Sequence, residues 1–219
     1  MEANLINNIE EKLFHGINLE FYKDKISELK IYSQILKSEK IKTREELLEE
    51  KYLYYDKLPR IYEQATDEVC VAIHPKNETF RYVYDFDIDY GTAFYHYIRT
   101  HISFVLSEDL LNSVDYTLQY GDAGEIRIKS GINLRKYLIA IGIYNFADSI
   151  AKCDLISNNY YLYRLFLEDT KRYLFVNRLL NEYGYNIPII NSINGKVIEN
   201  NYDIKILKYC DRVIRNKSL

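Results

Sequence analysis

Apolar residues recur at helical spacing along most of the chain. Leu5, Ile6, Ile9 and Leu13 fall three or four apart and predict a short helix ending near Gly16. Leu19, Tyr22, Ile26, Leu29 and Leu36 predict a second, from about Asn18 to Ser38. Thr43-Arg-Glu-Glu46 is a capping-box pattern, in which a hydroxyl and a carboxylate each satisfy an orphan amide. Leu47, Leu48, Tyr52, Tyr55 and Leu58 follow it on one face, and Pro59 should end that helix. Another helical piece, Ile61 to Ile73, stops at His74-Pro75, because a residue before proline resists the α region.

Further on, Thr92 to Leu106 keeps helical spacing. Ser107 can cap a helix running to Tyr120, with Glu108 and Asp109 in its first turn; the competing reading pairs strands at Val114 to Tyr120 and Glu125 to Lys129. Asn133 can cap a long apolar helix from Leu134 to Ile150, the expected centre of the core. Ser157 to Glu182 predicts the next helix, stopped by Gly184. Pro188, Asn191, Asn194 and Gly195 mark a loop, and Tyr202 to Arg215 a last helix.

One stretch breaks the period. In Phe80 to Tyr90, Tyr82, Tyr84, Phe86, Ile88 and Tyr90 alternate with Arg81, Val83, Asp85, Asp87 and Asp89. Period two with aromatic enrichment is a strand signal. The expectation is therefore a mainly α, multi-helix single domain over 1–219, with a small β element near residues 80–90. Within it, 1–73 reads as a charge-rich helical layer and 74–219 as an apolar helical core. Scarce glycine (8) and proline (3) point the same way, since turn-rich β folds consume both.

The same stretch holds the sharpest chemical feature. In a strand, Asp85, Asp87 and Asp89 project from one face, about 7 Å between alternate residues. Asp85 and Asp87 would then suit Mg²⁺ or Mn²⁺, which take hard oxygen ligands and orient phosphates. Such alternation of apolar and acidic residues resembles the acidic strand of nucleotidyltransferases and of archaeal and eukaryotic primases. The likeness covers about six residues; the Gly-Ser helix-loop and the downstream histidine motif of those families are missing here. The plain reading is an edge strand with a wet acidic face. His96 lies close by in sequence, but His96 and His101 are five apart and cannot chelate one metal as an i, i+4 pair would.

Composition narrows the classes. With 47% apolar and 28% charged residues the chain is of ordinary globular character. Its net charge of −3 argues against nucleic acid as a partner, since that binding draws on clustered Lys and Arg. Three scattered cysteines, Cys70, Cys153 and Cys210, form no Cys-x-x-Cys pair and read as buried reduced thiols. Met1 to Glu11 lacks the basic start of a secretory signal, and no apolar run is long enough to span a membrane, so the expected compartment is the cytoplasm. Neither a nucleophile elbow nor a phosphate loop is present. Tyrosine, at 23 residues, is enriched and suits binding surfaces.

The functional expectation is a non-enzymatic module that binds another protein, with immunity and inhibitor proteins as the nearest analogy of character. Its partner surface would be Asp85, Asp87 and Asp89 with Tyr84, Tyr90 and His96, and no cofactor is expected. The alternative is a metal-dependent enzyme acting on nucleotides or nucleic acid, with Mg²⁺ or Mn²⁺ on Asp85 and Asp87.

Overall fold

Val69-Cys-Val-Ala-Ile73, Ile102-Ser-Phe-Val-Leu106 and Leu138-Ile-Ala-Ile-Gly-Ile143 are short, nearly unbroken apolar runs, and each forms a strand. The computed structural model describes residues 9, 12–17, 28–50, 52, 67–73, 102–118, 125–143, 160–192 and 194–198. In chain order these give β1 (Leu13–Gly16), α1 (Glu28–Ser38), β2 (Lys40–Ile41), α2 (Arg44–Glu49), β3 (Val69–Ile73) and β4 (Ile102–Leu106). A 3-10 helix (Glu108–Asn112), β5 (Tyr116–Leu118), β6 (Glu125–Ile128), β7 (Ile132–Asn133) and the single-turn α3 (Leu134–Tyr137) follow. β8 (Leu138–Ile143), α4 (Tyr160–Glu182) and β9 (Ile189–Asn191) complete the set.

Seven strands make one sheet in the order β5-β6-β3-β1-β4-β8-β9, and β2 pairs with β7 separately. All neighbours in the large sheet are antiparallel except β8 and β9, which run parallel. The mainly α, multi-helix expectation, and the all-α description with it, is overturned by this sheet. β1 replaces the end of the helix expected up to Gly16, β3 the end of Ile61 to Ile73, and β4 the end of Thr92 to Leu106. The long helix expected from Leu134 shrinks to one turn, capped by Asn133 as anticipated, and then becomes β8. Ser107 does cap a helix, but a short 3-10 one, after which β5 and β6 pair as the competing reading had it. β9 occupies part of the expected loop after Pro188.

The physical reason lies in burial. Antiparallel register puts Leu13, Phe104, Leu106, Val71, Ile126 and Ile141 on one face of the sheet and Phe14, Cys70, Ala72, Ser103, Val105 and Ala140 on the other. Every one of these residues is buried. A strand buried on both sides reads as a continuous apolar run, and such a run carries no period with which to tell it from a helix segment. A bulge sharpens the point: Val105 faces Ala140 while Leu106 faces Leu138, which turns Leu138 into the core.

Helices cover the first face. Ile31, Tyr32 and Leu36 of α1 and Tyr173, Val176, Leu179 and Leu180 of α4 join the same apolar cluster as Phe104 and Ile141. The Tyr32 ring lies 5.2 Å from that of Phe104, and its hydroxyl donates to the Ile102 carbonyl. Tyr185 Oη donates to the Leu36 carbonyl (3.1 Å) at the end of α1, and that carbonyl also accepts from the Glu39 amide (3.3 Å). Where α4 stops, Gly184 takes φ +68, as its place after the last helical residue requires. Arg135 closes that end by donating to the Gly184 carbonyl (2.9 Å) and to Glu39 (2.8 Å), with its guanidinium 4.1 Å over the Tyr185 ring.

The sheet and the expected helix assign opposite signs to one substitution. In a helix, Gly142→Ala would stabilise by about 0.5–1 kcal/mol. In β8, a Cβ at Gly142 would sit 2.7 Å from Ser103 Oγ and closer still to Ser192 Oγ, both buried. Gly142→Ala is therefore expected to destabilise by about 1–3 kcal/mol, read as a lower urea midpoint at unchanged m-value. A raised midpoint would contradict the sheet.

Candidate functional site

β6 alternates Glu125 and Arg127 with Ile126 and Ile128, and its pairing with the apolar β3 sets those two polar residues against Ala72 and Cys70. Cys70 stands opposite Arg127 and Ala72 opposite Glu125, so these side chains share the second face of the sheet. Arg127 Nε donates to Glu125 Oε1 (3.0 Å), and its Nη1 lies 3.8 Å from Glu68 Oε2. All three side chains are nearly enclosed, at 12%, 5% and 9% exposure for Arg127, Glu125 and Glu68. Burial works against a charged guanidinium, but the bond to Glu125 and the charges of Cys70, Glu125 and Glu68 outweigh it. The net effect raises the Arg127 pKa above its ordinary value.

A second cation reaches the same cysteine from α2. The Thr43 hydroxyl accepts from the Glu46 amide (3.2 Å), and the Thr43 amide donates to the Glu46 carboxylate (2.9 Å). This is the capping box anticipated from Thr43-Arg-Glu-Glu46, although α2 ends at Glu49, well before Pro59. Arg44 is the first residue inside that cap, and its Nη2 donates to Cys70 Sγ at 2.6 Å. Thr43→Ala removes the cap and is expected to cost about 1 kcal/mol of stability in thermal or urea unfolding. A change below about 0.3 kcal/mol would mean that Arg44 and Lys40, which pairs with Glu46, hold α2 without the cap.

His15 borders the cluster from β1, not from a helix end. Its Nδ1 lies 2.8 Å from the Cys70 carbonyl, and its ring 6.3 Å from that of Phe104. Enclosure lowers its pKa to about 4; the Cys70 carbonyl opposes that shift and the charge of Arg44 adds to it. The imidazole is thus neutral at physiological pH and bound to backbone. Cys70 forms no disulfide among the described residues and is buried, as expected, whereas Cys153 and Cys210 lie outside the described residues.

Among the described residues no three His, Cys, Asp or Glu side chains converge to hold a metal ion. The cluster's charges balance one another internally, which ties β3, β6 and α2 together. Sequence reading passed over Glu68, Arg44, Glu125 and Arg127. The signal was there in part: Glu68, Cys70 and Ala72 alternate with Val69 and Val71, and Glu125 and Arg127 with Ile126 and Ile128. Only the pairing of the two segments puts Arg127 beside Glu68.

The anticipated site residues, Tyr84, Asp85, Asp87, Asp89, Tyr90 and His96, lie outside the described residues, as do His74 and His101. Their attachment points are described. β3 ends at Ile73 and β4 begins at Ile102, and these two strands flank β1. Ile73 pairs with Leu13 and Ser103 with Gly16, so those two strand ends lie at opposite ends of β1. On the helical face, α1 and α4 border a groove of about 430 Å³ lined by Leu29, Lys30, Ser33, Phe175, Arg178 and Tyr183 among others. No helix among the described residues is long and apolar enough to cross a membrane.

No protein-family model matches the chain, and neither a curated protein nor a solved structure shows significant similarity to it.

Proposed function

We propose that this chain is a non-enzymatic, cytoplasmic module that binds another protein through Asp85, Asp87 and Asp89, with Tyr84, Tyr90 and His96 beside them. The partner would present a basic surface. The observation that carries this reading is the acidic and tyrosine alternation itself, which falls in the sequence between β3 and β4, the two strands that flank β1 in the sheet. A binding segment mounted at both ends on a rigid scaffold loses less entropy on association than a free one. The internal pairing of Arg127, Glu68 and Glu125 supports it further, since those interior charges serve to join strands. The narrower class of immunity or inhibitor protein draws no support from the fold or the comparisons.

The test needs a stoichiometric partner recovered from the native host and titrated calorimetrically against wild type and the triple variant Asp85→Asn, Asp87→Asn, Asp89→Asn. Binding should weaken about tenfold or more in the variant, with a shallower salt dependence, because complementary charge governs encounter and register. Equal affinity of the two proteins would remove the acidic stretch from the interface. Titration with Mn²⁺ separates the rival: heat at millimolar metal that vanishes in Asp87→Ala would replace binding with metal-dependent chemistry.

A further inference from the structure

We draw no further inference here: the strongest candidate, the groove between α1 and α4 lined by Phe175, Arg178 and Tyr183, is an open face of two helices, and nothing in the structure shows what covers it.

Discussion

Replacing Arg127 by alanine should destabilise the protein by about 3–5 kcal/mol, the largest single effect expected among the described charged residues. The size follows from what remains behind. Glu125 and Glu68 would stay enclosed at 5% and 9% side-chain exposure with their shared cation gone. A buried carboxylate without a partner loses its hydration and receives nothing in return. By contrast, Arg135 is 39% exposed and pairs with a Glu39 that is 47% exposed, where water screens both charges. Against a typical total stability of about 5–15 kcal/mol, loss of Arg127 would leave a marginal fold. Neutralising the whole group, with Arg127→Met, Glu68→Gln and Glu125→Gln together, should recover most of the loss, because no charge is then stranded. Urea unfolding at constant m-value reads both variants. A cost below about 1 kcal/mol for Arg127→Ala would mean that water reaches the cluster.

Acidification should act next most strongly, through His15. Its pKa in the fold is about 4, against an ordinary value of 6.5. The unfolded chain therefore takes up a proton near pH 6.5 that the folded chain refuses until about pH 4. The stability contribution is complete above pH 6.5, falls progressively through that window, and levels off below pH 4. At about 1.4 kcal/mol per unit, the total loss comes to roughly 3.5 kcal/mol. Glu46 and Glu108 also have lowered values, held by Lys40 and by Lys12, and lose their stabilisation toward lower pH still. Comparing wild type with His15→Gln across pH 7.5 to 3.5 cancels those carboxylates and isolates the imidazole. Parallel stability curves for the two proteins would show that folding leaves the proton affinity of His15 unchanged.

Three signals complete within a few residues of one another agree with the structure, whereas the stops expected near Gly16, at Pro59 and at His74-Pro75 do not, since β1, the end of α2 at Glu49 and β3 stand there. The Thr43 and Glu46 exchange needs four residues, the stop at Gly184 needs one, and the amphipathic stretch ending at Ser38 needs three turns of helix. The misreadings share one feature. Leu138 to Ile143, Ile102 to Leu106 and Val69 to Ala72 are apolar on nearly every position because side chains on both faces of the sheet are buried there. Their helical appearance came from flanking residues that happen to continue the spacing, and glycine scarcity reinforced it. The sheet needs few glycines because its strands are short, and several of their connections run through helices or longer segments.

Tyrosine illustrates the same limit from another side. Its abundance pointed outward, to binding, yet Tyr32, Tyr137, Tyr173 and Tyr185 are buried, and two of their hydroxyls close backbone carbonyls. A large apolar ring with one polar tip serves a core as well as a surface, and composition alone does not separate the two uses.

The order of residues by itself settled the caps at Thr43, Ser107 and Asn133, the stop at Gly184 and the acidic alternation at Asp85 to Asp89, because each depends on neighbours a few positions apart. Strand order, the doubly buried sheet, and the meeting of Arg44, Cys70, Arg127 and Glu68 were decided only in three dimensions. Those features join distant positions, Arg44 to Arg127 across 83 residues and Leu13 to Leu106 across 93, and a pairing over such distances leaves no periodic trace along the chain. It arises from which surfaces exclude water against each other, a property of the assembled sheet rather than of any one segment.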